Sequence, residues 1–239
     1  MTGMLASVRT VEEARLALAA GVDILDLKEP AAGTLGALPI GIIEAVVGLA
    51  GGDRPVSATV GDLTDPECIA AAVAATAAAG VDIVKVGVFD HARQGEILER
   101  LAPFARRGIR IVAVLFADRG ADLDVEACAR HGLHGVMIDT AGKEGGGLRH
   151  LLADTTLRRF VDAARDCGLL SGLAGSLRVE DIAPLRAVGP DYLGFRGALC
   201  ADARREAAID AARLRQVRSL LPVRTVRTSN DWARAVHSA

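Results

Sequence analysis

The chain has 239 residues, 51% of them apolar, and a formal charge of −2. That balance supports a large core and excludes a disordered chain. The near-neutral charge gives no electrostatic footprint for nucleic acid or an anionic membrane. No apolar run reaches the roughly 18 residues that a membrane span needs. Residues 1–9 lack the charged start and apolar stretch of a secretory signal. Cys68, Cys128, Cys167 and Cys200 are widely spaced and form no C-x-x-C pair, so neither a disulfide nor a zinc site is expected. The expectation is a cytoplasmic protein without nucleic-acid or membrane partners.

Short apolar runs alternate with longer amphipathic ones eight times. Strands are expected over 4–8, 23–28, 56–60, 83–87, 109–116, 135–139, 169–174 and 192–195. Each leads into a helical segment: 11–20, 39–50, 65–79, 92–106, 124–131, 156–167, 179–188 and 202–221. Nearly continuous apolar strands suit a parallel sheet covered on both faces. Gly21, Gly80, Gly108, Gly132, Gly168 and Gly189 stand where a helix ends in a left-handed residue before the next strand. The phrase A-A-G-V-D-I occurs at Ala19 and again at Ala78, a sign of repeated βα units. Eight units fill a length close to the roughly 250 residues usual for a (β/α)8 TIM barrel. The fold class expected is therefore α/β, a single-domain barrel over 1–221; a doubly wound open sheet is the competing architecture. Residues 222–239 break the rhythm and are expected to be a tail or a short packing helix around Trp232. The alanine-rich stretch 69–79 is expected to be a buried helix, or one that packs tightly on a partner; a homo-oligomer is open.

Only three lysines occur, Lys28, Lys85 and Lys143; the other 25 of 28 basic residues are arginine. Arginine does not lose its proton in a protein, so it is neither an amine nucleophile nor an ordinary base. A chain that meets its other needs for positive charge with arginine has a reason to retain lysine. Lys28 ends the second strand, Lys85 lies on the fourth, and Lys143 follows the sixth. All three belong at the strand end that carries catalytic groups in a barrel. Mutual repulsion and partial desolvation there favour a neutral, nucleophilic amine. Chance survival of three surface lysines is the plain alternative.

Asp26 lies two residues before Lys28 and shares its side of the strand, where a carboxylate pairs with the amine or shuttles protons. Asp139 ends strand six. Asp62 and Asp118 follow strands three and five, as site residues or as loop contacts; Asp65 and Asp124 read as helix caps. Two glycine loops follow the last two strands, with Gly172, Gly175 and Ser176 in one and Gly194, Arg196 and Gly197 in the other. A substrate phosphate in this architecture sits at those loops on backbone N–H groups, and Ser176 and Arg196 would add side-chain donors. The glycine run 145–147 and the extended loop 29–38 are candidate covers. No phosphate-binding G-x-x-x-x-G-K-[ST] or H-E-x-x-H pattern occurs, and no cofactor or metal is expected.

D-L-K-E-P around Lys28, V-K-V-G around Lys85, D-T-x-x-K-x-G-G-x-L from Asp139, and the G-L-A-G-S-L and G-x-R-G-A loops together resemble one family, (5-formylfuran-3-yl)methyl phosphate synthase. The resemblance runs from Met4 to about Leu221. It implies a barrel lyase that joins two molecules of glyceraldehyde 3-phosphate, losing one phosphate and two waters, in the making of methanofuran-type one-carbon carriers. It further implies that Lys28 forms the Schiff base and that Lys85 accepts a proton. The residues themselves leave open another lysine-dependent aldolase acting on a carbonyl phosphate, a phosphosugar isomerase working by acid/base groups alone, and a phosphate-binding regulatory barrel.

Overall fold

A computed structural model of the chain describes residues 1–120, 124–142 and 146–222. The expected tail, with Trp232, lies outside them. Eight parallel strands close into a barrel in chain order: β1 (Gly3–Val8), β2 (Ile24–Leu27), β3 (Val56–Thr59), β4 (Ile83–Gly87), β5 (Ile111–Phe116), β6 (Gly135–Asp139), β7 (Leu170–Leu173) and β8 (Tyr192–Phe195), with β8 paired to β1. The described helices are α1 (Val11–Ala19), α2 (Ile40–Ala50), α3 (Pro66–Ala78), α4 (Gln94–Arg106), α5 (Val125–Arg130), α6 (Leu148–Leu151), α7 (Asp154–Asp166), α8 (Ile182–Val188) and α9 (Ala211–Ser219). The fold is the closed barrel, and the open-sheet alternative falls. Among the described residues no helix is long and apolar enough to cross a membrane.

The apolar strands serve two cores. One face of each strand, including Met4, Ala6, Leu25, Leu27, Val84, Val86, Ala113, Leu115, Val136 and Ile138, packs outward beneath the helices. The alternate residues Leu5, Ile24, Ile83, Val112, Val114, Met137, Leu170 and Tyr192 fill the barrel interior. Burial on both faces is the reason that strand alternation is faint in the sequence. The six helix-ending glycines all adopt left-handed φ angles between 67° and 88°. Asp65 and Asp124 cap α3 and α5 as expected.

Three expectations need correction. Helix α3 is not buried: Ile69, Val73 and Thr76 face the core, while Ala71, Ala74, Ala75 and Ala78 are exposed. An alanine-rich sequence carries too weak a contrast between faces to reveal this. The single helix expected over 202–221 does not form at its start; α9 begins only at Ala211, capped by Asp210. Residues Cys200 to Ile209 instead make a closed excursion, with a bridge between its two ends. The loop 29–38 is not a free cover. Its Thr34 and Leu35 N–H groups donate to Asp62 at 2.8 and 2.6 Å, and Leu35 is wholly buried in the interior cluster.

Gly172, expected at a phosphate, lies inside the barrel on β7. A Cβ there would stand 2.4 Å from the Tyr192 ring, itself buried and unable to retreat. Gly172→Ala is therefore expected to overpack the interior and destabilise the fold by about 1–3 kcal/mol. Urea denaturation checks this; an unchanged midpoint would show that the ring has room to move.

Candidate functional site

A cavity of about 840 Å³ opens at the C-terminal end of the strands. Its inner wall carries Ser7 from β1, Asp26 and Lys28 from β2 and its end, Lys85 from β4, and Asp139 from β6. Strand alternation turns these side chains inward, above the apolar floor of Leu5 and Met137.

Asp26 is fully buried. One carboxylate oxygen accepts hydrogen bonds from Lys85 Nζ at 2.9 Å and Ser57 Oγ at 2.7 Å. The other accepts from Ser7 Oγ at 2.7 Å. Burial pushes the Asp26 pKa upward, but the Lys85 and Lys28 charges, then the hydrogen bonds from Ser57 and Lys85, outweigh it. They hold the carboxyl below the ordinary aspartate range. Lys28 donates to Asp139 Oδ2 at 3.5 Å. Strands β2 and β6 stand opposite each other in the ring, so this pair spans the mouth. Asp139 Oδ1 accepts the Thr140 N–H at 2.8 Å. Each described lysine thus lies against a carboxylate. The like charges expected to crowd one another are each met by an opposite charge.

Sequence reasoning missed Ser7 and Ser57. Short strand hydroxyls give no pattern in one sequence, and their role exists only once the register sets Ser7 and Ser57 beside Asp26. Lys143 falls outside the described residues, as does Gly145. Gly146 and Gly147 line the cavity, and Gly147 lies against the Ser176 carbonyl.

Gly175, Ser176, Gly194, Arg196 and Gly197 border the cavity; Gly172 does not. Gly175 has φ 109°, and a Cβ there would lie 2.6 Å from the Thr140 side chain. Ser176 follows in a left-handed conformation at φ 47°. The expectation that Arg196 gives its side chain to a phosphate meets a contrary geometry. Its guanidinium forms a two-pronged ion pair with buried Glu13, at 2.6 and 3.1 Å. It also donates to the carbonyls of Ser7, Arg205 and Ala207. These contacts use all five N–H donors of the group. Arg196 is a strut joining β1, α1 and the residues after β8. Nothing local in the sequence tells a strut from a ligand, because Glu13 lies 183 residues away.

Asp62 and Asp118 resolve as loop contacts. Asp62 holds the loop after β2, and Asp118 accepts the N–H groups of Ala141 and Gly142. For Asp118, burial raises the pKa, and the hydrogen bonds from Ala141 and Gly142 more than reverse it.

The 4-HFC-P synthase family model matches residues 4–218, nearly the whole barrel. The chain belongs to the 4-HFC-P synthase family. A Methylorubrum extorquens relative is 45% identical over 216 residues, 89% of either chain. The (5-formylfuran-3-yl)methyl phosphate synthase of Methanocaldococcus jannaschii is 36% identical, covering 91% of this chain and 98% of its own. Among solved structures, a 3-hexulose-6-phosphate synthase superposes with a TM-score of 0.60 at 20% identity, over 92% of this chain and 100% of that one; this likeness speaks for the fold alone. Within this 4-HFC-P synthase family barrel, the inward lysine–carboxylate pairs gather the ionisable groups of the mouth.

Removing the Asp26 charge tests the electrostatics. Asp26→Asn leaves Lys85 buried without a counter-charge, and a loss of about 3–5 kcal/mol at neutral pH is expected. Because the folded-state pKa of Asp26 is depressed, its stabilisation is present above the unfolded-state pKa and vanishes as pH falls through the folded-state value. Urea midpoints measured from neutral to acid pH should fall less steeply in the variant than in the wild type. Equal slopes would mean that Asp26 does not carry this charge.

Proposed function

We propose that this protein is a lyase that condenses two glyceraldehyde 3-phosphate molecules to (5-formylfuran-3-yl)methyl phosphate, through a Schiff base on Lys28. The reading rests on one observation above the others: Lys28–Asp139 and Lys85–Asp26 stand together, nearly dehydrated, in one open cavity. The names of its relatives support it.

Two triose phosphates contain the atoms of the product plus one phosphate and two waters. Joining them needs a carbon nucleophile. The Lys28 amine adds to the aldehyde carbon, and loss of water gives an iminium. The iminium acidifies the adjacent C–H, and departure of that proton leaves an enamine whose carbon attacks a second aldehyde. Asp139, beside Lys28, takes up and returns the amine and hydroxyl protons. Lys85 gives its ammonium proton to the hydroxyl that departs as water and, as the neutral amine so formed, accepts the carbon proton, while Asp26 holds Lys85 in place and balances the charge thus restored. Elimination of phosphate and water draws on the same acid/base groups, Lys143 among them. The retained phosphate rests on the backbone of Gly175 and Ser176, with Gly194 and Gly197 facing them; at the glycines the missing side chains allow close approach to an anion. The product suits a methanofuran-type cofactor route. No cofactor or metal enters these steps.

Borohydride reduction in the presence of glyceraldehyde 3-phosphate should add substrate mass to Lys28, located by peptide mass spectrometry. Lys28→Arg should abolish both adduct and furan absorbance. Lys85→Met should keep the adduct and lower turnover by about 10²–10⁴-fold. An adduct on another residue, or furan formation by Lys28→Arg, would overturn the assignment. A plain aldol product would point instead to an ordinary Schiff-base aldolase.

A further inference from the structure

The condensation needs two phosphorylated molecules in one cavity, and the glycine loops account for one phosphate. The excursion between Cys200 and Ile209 supplies a candidate for the other. Its ends are tied by the Cys200–Ile209 bridge and by Ala201 N–H to Ala208 O at 3.1 Å. Asp202 and Ala203 are both held at φ 55°, a left-handed conformation that side chains other than glycine adopt only when their surroundings enforce it. Arg196 holds the returning part of the excursion. Its guanidinium takes the carbonyls of Arg205 and Ala207, each at 2.8 Å, while Ile209 N–H donates to Glu13 at 3.2 Å. The backbone on both sides of residue 206 is thereby clamped to α1 and β1.

The clamp sets Arg205 on the cavity wall. Its Nε is buried and has no hydrogen-bond partner among the described residues. No described carboxylate forms an ion pair with its guanidinium, whereas neighbouring Arg204 lies 3.7 Å from Asp202 and Arg178 3.9 Å from Glu180. A buried N–H without an acceptor in the protein is rare in a native fold and is met by water or by a bound ligand. A guanidinium fits a phosphate with two parallel hydrogen bonds. Arg213, from α9, borders the same cavity and adds a second positive charge. This wall is on the β8–β1 side of the mouth. Gly197 packs against Ala203 of the excursion on this side, whereas Gly175 and Ser176 lie toward β6, against Thr140 and Gly147.

We propose that Arg205 binds the phosphate of the second substrate molecule, on the β8–β1 wall and apart from the Gly175–Ser176 loop. The proposal rests on the two-substrate reading above, yet its test does not require turnover. The probe is sn-glycerol 3-phosphate, which carries the phosphate but no carbonyl and so forms no Schiff base. Calorimetric titration of the intact protein should give two equivalents bound for the wild type and one for Arg205→Gln. Arg205→Lys, which keeps the charge and loses the fork, should retain a second equivalent at least tenfold weaker. The Arg205 side chain makes no described hydrogen bond, so the melting temperature of both variants should match the wild type. Two equivalents retained in Arg205→Gln would overturn the proposal. So would a wild type that binds one equivalent or none, including a single equivalent lost in the variant, which would place Arg205 at the glycine-loop phosphate. If two equivalents fall to one but glyceraldehyde 3-phosphate yields no furan, the subsite stands and the reaction assignment fails.

Discussion

The ionised carboxylate of Asp26 is the constraint on which the site is built. It is buried at the centre of a barrel whose other interior side chains are largely apolar. An isolated charge there would be prohibitively costly, and the pair it forms with Lys85 is tolerable only because its remaining lone pairs are met. Ser7, Ser57 and Lys85 meet them. These groups come from β1, β3 and β4, so one carboxylate on β2 ties together four neighbouring strands. The same charge acts on Lys28 with less screening than bulk water would impose. Rigidity and chemistry therefore have a common origin: the hydrogen bonds that make the charge tolerable also fix the direction of the Lys85 amine.

Around that centre the mouth is asymmetric. On the β4–β5 side it is sealed by apolar groups. Leu35 folds in from the loop after β2, and Phe89 stacks on Phe116 at 4.4 Å between ring centroids. The cavity opens instead toward β6, β7, β8 and β1. There the Arg196–Glu13 pair takes the place of an apolar seal. Its two charges are buried and fully hydrogen-bonded, and it joins α1 to the backbone on both sides of Glu206. A buried pair of this kind contributes little net stability compared with an apolar contact, but it fixes orientation. One wall is thus dry and close-packed, and the other is polar and held by directed hydrogen bonds, as recognition of a small anionic molecule requires.

Much of this is legible in the order of residues alone. The eight-fold alternation, the six glycines ending helices, and the retention of three lysines among many arginines are local or compositional signals, and each reflects a physical rule acting over a few residues. They locate the barrel, its strand order and the wall carrying Lys28, Lys85, Asp26 and Asp139. They fail where a residue's role depends on a distant partner. Arg196 sits in a glycine loop that reads as a phosphate cradle, yet Glu13 takes its donors. Gly172 shares a motif with Gly175 but faces Tyr192, one layer below the cavity. The apolar and charged period of 202–221 is helical in composition, but the bridge from Cys200 to Ile209 and the clamp on Arg205 and Ala207 override it.

Architecture and the kind of chemistry are thus written in the chain. Repeated βα periodicity leaves few ways to bury both faces of eight short strands, and scarce amines mark where arginine would not serve. Which charges meet is settled only by the closed barrel. It pairs Lys85 with Asp26 and Lys28 with Asp139, turns Arg196 into a strut, and sets Arg205 on the cavity wall. Hydrogen bonds and ion pairs act over about 3–4 Å in space, and closure brings within that range residues that lie 59, 111 and 183 positions apart in the chain.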